Sequence, residues 1–125
     1  MQNEMRKNKR GIKHLLCAFR YSWNGLSAAI KNETAIRHEL ILGVVHIAAL
    51  MIVPMSLISR FVLIVLWILL IVVELINSAI ESVVDLVTPN FHPLAGLAKD
   101  YGSAAVFLCL IMIALAWVSA VILIL

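Results

Sequence analysis

Apolar and polar positions fall along this chain in four blocks, each with the spacing of a helix. In the first, apolar side chains recur at Ile12, Leu15, Leu16, Phe19, Trp23 and Leu26, which places them on one helical face. Lys13, Arg20 and Asn24 fall largely elsewhere on the wheel. A basic amphipathic helix carrying Trp and Phe is expected to lie in a membrane interface. It is placed over 12–32, after a polar, basic and flexible start at 1–11. The second block, 39–56, is apolar from Leu40 to Met55, broken near its end by Pro54, and contains His46, read as a bundle-facing polar residue. The third begins at Phe61, stays apolar to Val73, and continues as helix through Glu74, Asn77, Ser78, Glu81 and Asp85 to 87. Thr88-Pro89-Asn90, then Pro93 and Gly96, mark a loop over 88–102. The last block, 103–125, is uncharged and about 35 Å long as a helix, enough to cross a bilayer unaided.

Composition turns this pattern into a membrane protein. Of 125 residues, 63% are hydrophobic and 14% charged, with a mean hydropathy of +1.04. So short a soluble chain could not hide that much apolar surface, which excludes a soluble globular enzyme and a disordered chain. Three spans of about 20 residues leave no room for a separate soluble catalytic domain. The expected architecture is a single all-α integral-membrane unit over 1–125, with an interfacial helix, three membrane helices and more than one subunit.

Charge sets the orientation. Net charge is +3, yet eight of the ten Lys/Arg lie in the first 37 residues: Arg6, Lys7, Lys9, Arg10, Lys13, Arg20, Lys31 and Arg37. The positive-inside rule places this end in the cytoplasm, Arg60 on the far side, and the segment carrying Lys99 in the cytoplasm again. A topology signal accounts for the basic start, so no nucleic-acid partner is expected. No secretory signal is expected either, because no short apolar core and cleavage site follow that start. Cys17 and Cys109 have neither CxxC nor Cys/His spacing and read as free thiols.

The chemistry concentrates where the third block turns polar. Glu74, Asn77, Ser78, Glu81 and Asp85 keep to one helical face. Measured from Phe61, Glu74 lies about 20 Å along the axis, inside a core of roughly 30 Å. A carboxylate at that depth costs about 2.5–3.5 kcal/mol to insert and by default marks a functional site. Glu74 and Glu81 are about 10 Å apart along the axis, too far for one metal cage but suited to divided labour. The deeper can serve as a general base. The shallower can hold Mg2+, which takes one or two carboxylates plus phosphate oxygens, with Glu33 as a second carboxylate. His92, Lys99 and Asp100 could meet phosphates from the 88–102 loop, although no P-loop or glycine-rich kinase cradle is present. The same acids would suit a proton- or cation-coupled transporter, and a purely structural membrane subunit is a third reading.

Three stretches carry a family resemblance: Glu74-Leu-Ile-Asn-Ser-Ala-Ile-Glu-Ser-Val-Val-Asp85, His92-Pro-Leu-Ala-Gly-Leu-Ala-Lys-Asp100, and Gly102-Ser-Ala-Ala-Val106. With Tyr21-Ser22-Trp23-Asn24-Gly25-Leu26 and Asn32-Glu33, they resemble the bacterial integral-membrane diacylglycerol kinase family from about Ile12 to the end. The resemblance implies a homotrimer in the bacterial cytoplasmic membrane, with active sites between subunits on the cytoplasmic side. It implies transfer of the γ-phosphoryl group of MgATP to a membrane lipid alcohol, diacylglycerol, giving phosphatidic acid.

By motif position Glu74 corresponds to the base and Asn77 to a supporting catalytic residue, with Glu33 and Glu81 as Mg2+ ligands. His14, standing where the family usually has an arginine, Tyr21, Asn90, Phe91, His92, Lys99 and Asp100 correspond to nucleotide contacts, joined by Glu33 and Glu81. Substrate contacts would come from Ala18, Phe19, Arg20, Tyr21, Ser22, Trp23, Ala35, Ile36, Arg37, His38, Glu39, Glu74 and Ser103. The stretch from Asp85 to Ala95 is closer to the undecaprenol-kinase branch, so undecaprenol stays open as the acceptor.

Overall fold

The computed structural model describes residues 2–88, 90 and 92–124, with residues 2–11 as backbone only. It is all helical among those residues: α1 (Gln2–Asn32), α2 (Thr34–Ile52), α3 (Leu57–Val87) and α4 (Pro93–Ile122). Two compact units divide the chain between Thr34 and Ala35. The first is α1, which begins at Gln2 rather than at residue 12 and ends with the Glu33 amide bonded to the Ala29 carbonyl at 2.8 Å. Ile12, Leu15, Leu16, Phe19 and Trp23 are all exposed on it.

In the second unit three helices are long and apolar enough to cross a membrane. Their boundaries differ from the hydropathy blocks for local reasons. α2 starts before the apolar run and includes the polar residues Arg37, His38 and Glu39, because helical backbone needs no apolar side chains. It stops at Ile52, since the residue before Pro54 is driven out of the α region. α3 begins at Leu57, where Ser56 caps it by accepting from the Ser59 amide at 3.1 Å. The largest correction is the expected loop over 88–102, most of which is helix. His92 Nδ1 accepts from the Leu94 amide at 3.2 Å, and Pro93 occupies the first turn of α4, where its missing N–H costs nothing. Lys99, Asp100 and Gly102 therefore stand on a helix.

α3 and α4 form an antiparallel pair with a regular seam. Leu63, Leu70, Glu74 and Asn77 are buried on α3, and Gly102, Cys109, Ile113 and Ala120 on α4. The steps of three, four and seven keep each set on one face. Leu70 packs with Cys109 and Ile113, and Leu63 with Ala120, Leu50 and Met55, which brings in α2. Cys17 and Cys109 are free thiols.

Midway along, the Trp67 indole stacks on His46 at 4.4 Å, and Trp117 meets the same ring edge-on at 5.6 Å. Trp117 Nε1 donates to His46 Nδ1 at 3.3 Å. Gly43 makes this possible, because a Cβ there would meet Trp67 Nε1 at 2.8 Å. Small residues at membrane-helix contacts commonly serve such close approaches. Only about a fifth of each apolar stretch is enclosed, leaving broad apolar faces for lipid or other subunits.

Candidate functional site

The polar stripe on α3 is built as its spacing foretells. Glu74 is 6% exposed and Asn77 8%, both on the seam facing α4, while Glu81 is half-buried one turn on. Asn77 Nδ2 donates to Glu81 Oε1 at 3.4 Å, so the side chains at i and i+4 are linked. Asn77 Oδ1 is enclosed with no hydrogen-bond partner among the described residues. It lies against Gly102 of α4, where a Cβ would overlap it. From α2, Glu39 stands close enough to Glu74 for their charges to repel, and its Oε2 is enclosed with no hydrogen-bond partner among the described residues. Carboxylates in an apolar setting are costly to bury, which makes this stretch the candidate site.

Beyond this stripe, the end of α3 and the start of α4 enclose a cleft of about 280 Å³. Asp85, Asn90, His92 and Lys99 supply its polar walls, and Ala95 and Gly96 open its floor. Lys99 Nζ sits 2.6 Å from Asp85 Oδ1. The cation thus faces the cleft with a carboxylate in attendance, an arrangement in which a phosphate could compete for it. Asp100 is exposed and does not line the cleft among the described residues. Ser103 is exposed a turn further along α4. Phe91 lies outside the described residues.

On α2, Ala35, Arg37 and His38 are exposed, whereas Ile36 is fully enclosed. On α1, His14, Ala18, Phe19, Arg20, Tyr21, Ser22 and Trp23 are all exposed, and Glu33, between the first two helices, is half-buried.

Among the described residues no three His, Cys, Asp or Glu side chains converge as a ready-made metal cage. Mg2+ needs none, since it is usually held by one or two carboxylates and substrate phosphates. Glu81, half-buried and oriented by Asn77, fits that role. The sequence reading gave no role to Asp85 or Gly102. Asp85 belongs to the stripe that the spacing marks out, but nothing in one sequence signals that it pairs with Lys99 or that Gly102 receives Asn77.

Residues 20–121 match the family described as prokaryotic diacylglycerol kinase. The Escherichia coli K12 diacylglycerol kinase is 41% identical over 116 residues, covering 90% of this chain and 93% of that protein. The Haemophilus influenzae diacylglycerol kinase is 40% identical over 107 residues, covering 86% and 91%. The Pseudomonas aeruginosa diacylglycerol kinase is 41% identical over 111 residues, covering 89% and 90%. A membrane-helix protein with a polar stripe running from buried Glu74 toward a polar cleft thus meets relatives that match it nearly end to end, and the chain belongs to the prokaryotic diacylglycerol kinase family.

Proposed function

We propose that this protein is an ATP- and Mg2+-dependent diacylglycerol kinase, working as a homotrimer in the bacterial cytoplasmic membrane with its site on the cytoplasmic side. The observation that carries the reading is the adjacency of two unlike environments on one helix pair. A buried carboxylate at lipid depth stands a few turns from a cleft with a cation. A lipid acceptor and a water-soluble phosphate donor need such a pair.

Glu74 takes the proton of the lipid hydroxyl as its oxygen attacks the γ-phosphorus. The new P–O bond forms while the bond to the β-phosphate oxygen breaks, leaving phosphatidic acid and ADP. Phosphoryl transfer asks the protein mainly for alignment and charge stabilisation. Lys99 supplies positive charge at the cleft, exchanging Asp85 for phosphate oxygens, and His92 and Asn90 border the nucleotide. Asn77 orients Glu81. Mg2+, held by Glu81 and by the Glu33 that the family pattern assigns to it, would neutralise β- and γ-phosphate oxygens. Tyr21 and His14 on α1 add to the nucleotide side. The lipid is received by residues 18–23 and 35–39, Glu74 and Ser103. The broad apolar faces of α2 to α4 support further subunits, and the basic start supports the cytoplasmic orientation.

The test supplies purified protein in lipid nanodiscs with labelled ATP, Mg2+ and either dioleoylglycerol or undecaprenol. Label is expected to enter dioleoylglycerol faster. Faster labelling of undecaprenol would transfer the reading to that acceptor, and labelling of neither would sink it. ATP-independent ion flux in sealed vesicles would instead favour a transporter.

A further inference from the structure

Gly102 is one of five glycines in the chain. Its backbone does not require glycine, because among the described residues no glycine has a positive φ. A glycine inside a helix weakens it, so its presence calls for another reason. Gly25 and Gly96 have open space where a Cβ would go. At Gly102 a Cβ would collide with Asn77 Oδ1 and come within 3.2 Å of Asn77 Cγ. The missing side chain is a notch in α4 that receives the Asn77 amide group.

We infer that Gly102 is a positioning residue for the metal carboxylate: its notch holds the Asn77 amide in the one orientation from which it steers Glu81. This rests on the reading of Glu81 as a Mg2+ ligand given above. With its oxygen seated against Gly102 and enclosed there without a hydrogen-bond partner among the described residues, the amide has one place for its nitrogen, which donates to Glu81 Oε1. Filling the notch displaces Asn77 away from α4 and takes the Glu81 partner with it. Groups that orient a metal ligand typically matter 10–100-fold in metal affinity or activity, so a loss of that size is expected although Gly102 touches neither substrate nor ion.

The experiment is a double-mutant cycle of Gly102→Ala and Asn77→Ala in full-length protein in nanodiscs. Each variant is read in two ways. One is the Mg2+ concentration giving half-maximal lipid phosphorylation. The other is Mn2+ binding, followed by electron paramagnetic resonance in the presence of a non-hydrolysable ATP analogue. Gly102→Ala is expected to weaken both by about 10–100-fold. The double variant should be within about twofold of Asn77→Ala, since residues that act through one another do not add. Unchanged Mn2+ binding in Gly102→Ala, or a double variant that loses the product of the two single effects, would overturn the inference.

Should Gly102→Ala fail to fold, the double variant, in which the collision is gone, is expected to fold. Collapse of both would assign Gly102 to helix packing alone and also overturn it. Mn2+ binding that survives Glu81→Gln in a chain with Gly102 and Asn77 intact would instead overturn the metal assignment beneath it.

Discussion

His46 and Glu74 are both buried polar residues on the seam of the second unit, set two helical turns apart, and they are treated in opposite ways. His46 receives a hydrogen bond at Nδ1 from one indole and a stacked face from another, while its Nε2 is enclosed with no hydrogen-bond partner among the described residues. Glu74 is given a like charge, Glu39, as a neighbour. The first arrangement knits three helices together. The second sets like charge beside a buried carboxylate, the kind of environment that clusters at functional sites. Burial of a polar group therefore does not distinguish clamp from site, whereas the character of its neighbours does.

Glu74→Gln tests the comparison at its strongest point. The rate of lipid phosphorylation should drop at least about 10²-fold, the usual worth of a general base, while the protein melts no earlier than wild type. A variant that keeps its rate would place Glu74 with the clamps. Next in size is Lys99→Met, which removes a charged hydrogen-bond donor worth about 1.5–3 kcal/mol. The KM for ATP should rise about 10–100-fold with little change in the KM for the lipid.

His46→Leu reverses the pattern. It strands the Trp117 N–H and should lower stability by about 0.6–2 kcal/mol, in the range measured for hydrogen bonds between membrane helices. Thermal inactivation would come earlier, with kcat of the surviving enzyme unchanged, and a fall in kcat would break the contrast. The smallest effect belongs to Asp85→Asn, because Asp85 and Lys99 are 67% and 36% exposed and pairs so open to water contribute about 0–1 kcal/mol. The KM for ATP should move by less than about threefold, and a larger shift would give Asp85 a direct part in nucleotide binding.

Much of this was legible in the sequence because lipid simplifies the code. Apolar runs announce the three membrane helices, and the regular spacing from Glu74 to Asp85 announces the stripe, since both are local properties of one helix. Pro93 was misleading: the same residue that ends helices also starts them, and only the His92 cap shows which applies. Contacts between helices were beyond reach. The Asp85–Lys99 pair joins residues either side of a turn, and Glu39 meets Glu74 across two helices whose register no single sequence states. Gly102 was visible only as part of a motif, because the significance of an absent side chain lies in what occupies its space.

The unequal lengths of the helices have a consequence of their own. α2 has 19 residues and α3 31, about 28 Å and 46 Å at 1.5 Å per residue, against a hydrocarbon layer of about 30 Å. With His46 against Trp67 and Glu39 near Glu74, the start of α2 is level with about residue 79, and Glu81 and Asp85 stand proud of it. α2 then behaves as a depth gauge that sets how far the acidic end of α3 clears the oil. Thickening the bilayer would draw Glu81 and Lys99 toward hydrocarbon, and thinning it would lift Glu74 toward the headgroups, so the rate of lipid phosphorylation is expected to vary with the acyl-chain length of the surrounding lipids.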